Sequence, residues 1–332
     1  MSVRVLAPGL LTTVQDGGRR GHSAIGVGSA GPMDSVSLRL ANLLVGNAHD
    51  AAALEITLRG PRLRFEHDAL IAITGADIEA ACGGQPVATW RPVALRAGSE
   101  VVFGGTTRGA RSYVAWSGGI GQPQVLGSRS ADINSGIGAH AGRALAPGDV
   151  LPAGGGVDVT PALLRRITAG QPVARAAWSL DPQPWLDLDF RQPVCAIAGA
   201  HFGALDAASQ RAVFAADFRV GAESNRVGFR LGGTKLALRE PLELVSEGVV
   251  PGTVQLPPGG DPIILMAEAP TCGGYPRVAQ VIAVDLPLIA QRRPGDSLRL
   301  TEISLADAQT RYLERERALA RLAGDIRQRL AE

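Results

Sequence analysis

The chain has 332 residues, 45% of them hydrophobic and only 4% aromatic, with a formal charge of +2. It is long enough for two domains with sizeable cores, and its Lys and Arg are scattered among acids rather than clustered, which argues against a nucleic-acid or membrane-surface partner. The 42 glycines and 22 prolines punctuate short apolar runs, the pattern of a β-rich protein. Cys82, Cys195 and Cys272 lack metal spacing and read as reduced thiols. No signal pattern or membrane-length apolar run occurs, so a cytoplasmic protein is expected.

In chain order, the strand-like Val3 to Leu6 leads into the polar, glycine-rich run Thr13 to His22 and on to Asp34. So long an irregular loop, carrying Asp16 and Arg19, is either a working loop or one in which those two residues pair to hold a turn. Asp34 predicts the cap of a helix with Val36, Leu40, Leu43 and Leu44 on one face and Gly46 as its stop. Short strands are predicted from about Ala53 to Val150, with the polar loop Leu126 to Asp132, carrying Ser128 and Arg129, towards their end. Residues 154–189 have no clear period and read as a connection. A second run of strands fills Val194 to Leu300, ending in a short helix capped by Asp285. The tail from Ser304 reads as a long helix with Ser304 and Asp307 as a capping pair. Its stripe Leu305, Tyr312, Leu319 and Ile326 must lie on some surface.

Three short matches relate the two strand-rich regions: Ile73 to Ile78 with Ile197 to Phe202, Leu95 to Glu100 with Phe218 to Glu223, and Ala146 to Asp149 with Arg293 to Asp296. They predict two copies of one β-fold, the second with an insertion of about two dozen residues between Asn225 and Gly252. In that register the strand Arg111 to Trp116 corresponds to Pro262 to Met266. The polar residues of and around the insertion are Asn225, Arg226, Glu247 and Gln255, groups that suit an amide, a carboxylate or a phosphate. After it comes Glu268 to Arg277, a loop between two apolar runs. Gly273 and Gly274 there bring backbone N–H groups close to anything bound, flanked by Thr271, Cys272 and Tyr275. A plain glycine turn would look the same.

The ordered set Gln15 to Arg19, Asp34 with Ala41 and Asn42, Ala53 to Glu55, Leu126 to Ser130, Ser224 to Gly228, Ser246 to Gly248, Gln255 to Pro257 and Thr271 to Pro276 resembles the carboxyltransferase-domain family. That family includes the C component of bacterial ATP-dependent 5-oxoprolinase, the Kip-inhibitor antagonist, the so-called allophanate hydrolase subunit 2 and part of urea carboxylase. The resemblance runs from about Thr13 to Asp296. It implies a mainly β chain of two tandem cyclophilin-like β-barrels: residues 1–155 as the first domain, 156–190 as a linker, 191–303 as the second domain and 304–332 as a terminal helix. It further implies an ATP-dependent opening of 5-oxoproline to glutamate with subunits A and B, ATP being bound in the complex by a subunit the sequence does not identify. One alternative is a carboxyltransferase acting on urea or a similar amide with biotin carried by another chain. Another is a non-catalytic antagonist of a Kip-type inhibitor.

Carried over by position, Asp16, Arg19, Arg129, Glu247 and Tyr275 are the expected catalytic residues, and Ser128, Asn225, Arg226, Gln255, Thr271, Gly273 and Gly274 the expected substrate contacts, with no metal. The chain departs from the family's usual Asp-Arg-Gln-Thr-Thr run, having Glu268-Ala269-Pro270-Thr271-Cys272. A basic residue is lost at Ala269 and a hydroxyl becomes the Cys272 thiol, for which packing rather than nucleophilic attack is expected.

Overall fold

The computed structural model describes residues 2–154, 172–190 and 192–331. The chain is mainly β and groups into two compact units. The first comprises residues 1–19, 34–188 and 319–332, and the second residues 20–33 and 189–318. Most of the opening loop thus belongs with the second unit rather than with residues 1–155. Of the expected linker, residues 156–171 lie outside the described residues. Its strand Val173–Arg175 pairs antiparallel with Val93–Leu95 and is part of the first unit's sheet.

That sheet has ten strands. Its spine is the pair Ala69–Cys82 and Glu100–Trp116, two long strands joined over most of their length with irregularities around Asp77 and Ile78. Alternation places Ile71, Ile73, Val101, Phe103, Val114 and Trp116 in one core with Leu54, Ile56, Leu63 and Phe65. Helix α1 (Ser35–Leu44) covers the other face. Asp34 caps it as predicted, accepting from the Ser37 N–H at 2.9 Å and the Ser37 hydroxyl at 2.6 Å. Its buried face is Val36, Leu38, Leu40, Ala41 and Leu44, with Leu43 only partly covered. Asn42 is buried and structural: its amide donates to the Ala51 carbonyl at 2.7 Å and its oxygen accepts from Asn47 at 3.0 Å.

The second unit is a closed seven-stranded barrel. In order round the barrel the strands are Val194–Ala198, Arg277–Val281, Thr253–Gln255, Ile263–Leu265, Gly228–Gly232, Asp217–Val220 and Ser297–Glu302, the last closing in parallel on the first. Phe218, Phe229, Val254, Ile264, Val278 and Leu298 fill it. Helix α2 (Ala207–Ala215), capped by Asp206 onto the Ser209 N–H at 2.6 Å, stands where the sequence pattern predicts only strands. Its apolar stripe is slight, with only Ser209 and Val213 buried. Helix α3 (Leu286–Ala290) forms as predicted, but Asp285 does not cap it with its side chain. That carboxylate accepts from the Cys195 N–H at 2.7 Å instead, tying the helix start to a barrel strand.

Helix α4 (Leu305–Ala331) starts on the predicted pair, Ser304 accepting from the Asp307 N–H at 3.1 Å and donating to its carboxylate at 2.7 Å. Its apolar stripe has two fates. Leu322, Ile326 and Leu330 join the first unit's core with Leu38 and Tyr113. In the second unit Leu305 is 58% and Tyr312 47% exposed, and they line an apolar groove of about 650 Å³ with Ile197, Ile282 and Leu286.

One internal match is a shared turn and another a shared strand position. Ala146–Asp149 and Arg293–Asp296 make the same four bonds: first-residue N–H to the Asp carboxylate at 2.7 Å, Asp N–H back to the first carbonyl, Gly N–H to a valine carbonyl at 2.8 Å, and that valine's N–H to the Asp carbonyl. The valines are Val5 and Val220. Likewise Gly75 and Gly199 each sit where a Cβ would lie 2.4 Å from an arginine carbonyl on the next strand, of Arg111 and Arg277 respectively. Arg111–Trp116 therefore answers to Arg277–Val281, not to Pro262–Met266, because glycine contacts are conditions on a neighbouring strand that linear spacing does not carry.

Candidate functional site

In the first unit the strand Leu11–Gln15 delivers Asp16 to the Ser128 loop. Oδ1 accepts from the Gly18 N–H at 3.0 Å, the Ser128 hydroxyl at 2.5 Å and the Ser130 hydroxyl at 2.7 Å, and Oδ2 from the Arg129 N–H at 2.5 Å. The residue is 6% exposed and both hydroxyls belong to buried serines. Held by four donors, three on Oδ1 and one on Oδ2, Asp16 anchors the loop, and the alternative of an Asp16–Arg19 pair is not what forms. Arg19, 2% exposed, donates from Nε to the Val125 carbonyl at 3.1 Å and from Nη2 to the Ser130 carbonyl at 2.7 Å. Burial pushes its pKa down, opposed by the charges of Asp132 and Asp16. Its Nη1 has no partner among the described residues. Gly138 is obligatory beside it: at φ +102° a Cβ would meet the Ser130 carbonyl at 1.9 Å and Arg19 Nη2 at 2.9 Å. Arg129 is half-buried, its Nε held by the Gln122 carbonyl at 2.6 Å.

In the second unit the predicted residues separate into two groups. Arg226 and Glu268 form a buried ion pair, Nε to Oε1 at 2.5 Å, and Arg226 Nη2 also holds the Gly31 carbonyl at 2.6 Å. Arg226 thus pins the opening loop to the barrel rather than presenting a cation to a ligand. Asn225 is exposed, and its side-chain oxygen folds back onto the N–H groups of Val227 and Gly228, an Asx turn.

Glu247, Gln255, Gly273 and Gly274 come together at one barrel end. Glu247–Gly248 and Cys272–Gly273 form a two-residue antiparallel ladder. Arg277 Nη2 donates to Glu247 and Nη1 to the Gly248 carbonyl at 3.4 Å. Beneath lies Gln255, 5% exposed, whose Nε2 is buried with no hydrogen-bond partner among the described residues. A Cβ on Gly273 would stand 2.5 Å from that nitrogen, so glycine lets the backbone close over the carboxamide. Tyr275 is 45% exposed, and Thr271 contributes its carbonyl to the Val249 N–H at 3.1 Å. Cys272 is exposed and does not pack, contrary to expectation, whereas Ala269 does, against Val249 and Leu265.

Two residues here escaped the sequence reading. Arg277, directly after Gly-Gly-Tyr-Pro, is the cation of the cluster. His201 accepts the Arg277 N–H on Nδ1 at 3.1 Å, which leaves its proton on Nε2. Arg277's position at the start of a strand after a glycine loop was the available signal; His201 had only its place in the internal match.

A family model for the carboxyltransferase domain, subdomains A and B, matches residues 25–302. The chain is 37% identical over 321 residues to the C component of the 5-oxoprolinase of Escherichia coli, covering 97% of each. It is 34% identical to the same component from Haemophilus influenzae, covering 89% of each. Among solved structures it is similar to the Kluyveromyces lactis urea amidolyase with a TM-score of 0.84 and 30% identity, covering 96% of this chain and 20% of that one. The chain therefore spans a fifth of that enzyme's length.

Proposed function

The chain belongs to the carboxyltransferase-domain family, and from that membership we propose that it serves as the C component of an ATP-dependent 5-oxoprolinase, opening the lactam of 5-oxoproline to L-glutamate together with subunits A and B. The observation that carries this reading is the 37% identity to the Escherichia coli component over nearly the full length of both chains.

The chemistry at the barrel end supports it. Lactam opening builds negative charge on the amide oxygen, and that charge is stabilised by fixed donors. Gly274, the Gln255 carboxamide and Arg277 carry donors of this kind, with Tyr275 at the rim, while the Gly273 N–H is taken up in the ladder with Glu247. The same residues do not fit a triphosphate: the cation of the cluster, Arg277, is paired with Glu247, which places an anion where phosphate charge would lie.

The test is reconstitution with subunits A and B and measurement of glutamate release from 5-oxoproline. ATP-dependent release is expected, with Tyr275→Ala and Arg129→Ala assembling normally but turning over at background rate. Absence of release from the wild-type complex refutes the reading. The likeness to the urea amidolyase favours a second one, carboxyl transfer to urea or a related amide from biotin on another chain. Bicarbonate dependence and inhibition by avidin would mark it.

A further inference from the structure

Gln255, like Arg19, is a buried side chain with an unpartnered polar atom, and it lies at the barrel end under the glycine ladder. Its Nε2 carries two N–H donors and meets no acceptor among the described residues. A buried donor left unmade costs more than a typical hydrogen bond returns, so such a group marks the place of a missing partner. The cover above it is thin: a two-residue ladder whose Gly273 has no side chain, bordered by the exposed Cys272, Gly274 and Tyr275.

A carboxamide has an N–H and a C=O on the same edge. Its matching ligand has the same pair on one edge, so that two hydrogen bonds close a ring. Five-membered lactams have that edge because the ring holds N–H and C=O on the same side, and urea and primary amides have it through one N–H of each NH₂. Open-chain secondary amides, which are trans, do not.

We propose that Gln255 is the amide-reading residue of this site, taking edge-on a small neutral amide whose N–H lies on the same side as its C=O and rejecting trans amides and N-alkylated lactams. This deepens the lactam reading above and rests on it only for the choice of 5-oxoproline as substrate. One carboxamide would read both a lactam and urea, which places a single recognition device beneath both activities found among this chain's relatives.

The test has two arms. In the first, the Gln255 side-chain NH₂ resonance of the ¹⁵N-labelled full chain, identified by its loss in Gln255→Met, is followed while 2-pyrrolidinone, urea, N-methyl-2-pyrrolidinone and N-methylacetamide are added at equal concentrations. Movement with the first two and not the last two is expected. No movement with any, or equal movement with the N-methylated lactam, overturns the proposal. In the second, Gln255→Met and Gln255→Glu in the reconstituted complex should lower kcat/KM for 5-oxoproline roughly tenfold or more. The melting temperature of the Met variant should stay level or rise, since no hydrogen bond from Nε2 to the protein is lost. A Met variant that melts several degrees lower while turning over normally overturns the proposal and leaves the lactam reading intact. A wild-type complex inert on 5-oxoproline whose Gln255 still discriminates the four amides removes the substrate but supports the amide-reading role.

Discussion

Replacing Asp16 by Asn keeps the shape of the side chain and changes only what it accepts. In one orientation the new NH₂ opposes the Arg129 N–H, which the carboxylate holds at 2.5 Å. In the other it opposes the Gly18 N–H at 3.0 Å, while the Ser128 and Ser130 hydroxyls can turn to accept. Either way one backbone donor is orphaned in a site where Ser128 and Ser130 are fully buried. The orphan costs about 1–3 kcal/mol, and loss of charge assistance in the remaining bonds brings the total to about 2–4 kcal/mol. Urea unfolding followed by tryptophan fluorescence reads this, because Trp116 lies in the first unit's core. Hydrogen exchange at the Arg129 amide should accelerate in parallel. A stability within about 0.5 kcal/mol of wild type, the range of an inert surface change, would refute the anchoring role. Lost turnover on top of that result would make Asp16 a group that acts on substrate.

Arg226→Met leaves Glu268 buried without its cation and should cost about 3–5 kcal/mol, whereas Arg226→Met with Glu268→Gln should recover much of that; an equal or larger loss in the double variant refutes the pairing. Asp149 has its pKa lowered to about 2, first by its hydrogen bond from Arg143. A lowered carboxylate contributes stability that is complete above its ordinary value and is lost as pH falls through the lowered one. The gap in urea midpoint between wild type and Asp149→Asn should therefore be full at about pH 5 and close towards about pH 2, and a gap unchanged with pH would refute the assignment. Brief alkylation of the native chain should label Cys272 and spare Cys82 and Cys195, which are buried, burial also pushing the Cys195 thiol up; peptide mapping reads the sites, and equal labelling would contradict the burial.

Local signals carried far in this sequence. Asp34 and Gly46 frame α1, and Ser304 with Asp307 starts α4, because a cap is a contact over three or four residues. Helix α2 was lost because only two of its residues are buried, so tertiary context rather than periodicity makes it. The working loops were legible as glycine-rich breaks between apolar runs, but roles within them were not. Asp16 meets Ser128 and Ser130 across more than a hundred residues, and Arg226 meets Glu268 across 42. A lone Asp or Arg in a loop reads as available until the partner that consumes it is seen. Gln255 is the reverse case, a residue the sequence marks as a candidate contact and whose Nε2 still lacks a partner among the described residues.

The two β-structures differ in how they guard against unwanted strand addition. The barrel's seven strands close on themselves and present no free edge among the described residues, while the branched ten-stranded sheet ends at Val173–Arg175, Val150–Pro152, Gln85–Pro86 and Leu11–Gln15, the last partly covered by backbone bonds from Ala131 and Leu145. Exposed edges are templates for pairing with other chains, and shortness is one way proteins blunt them. Val173–Arg175 and Val150–Pro152 are three residues long and Gln85–Pro86 is two, room for only a few intermolecular bonds. Substitutions that lengthen any of these strands, such as replacing Pro152, would trade that protection for self-association, and would do so in the first unit while leaving the barrel indifferent.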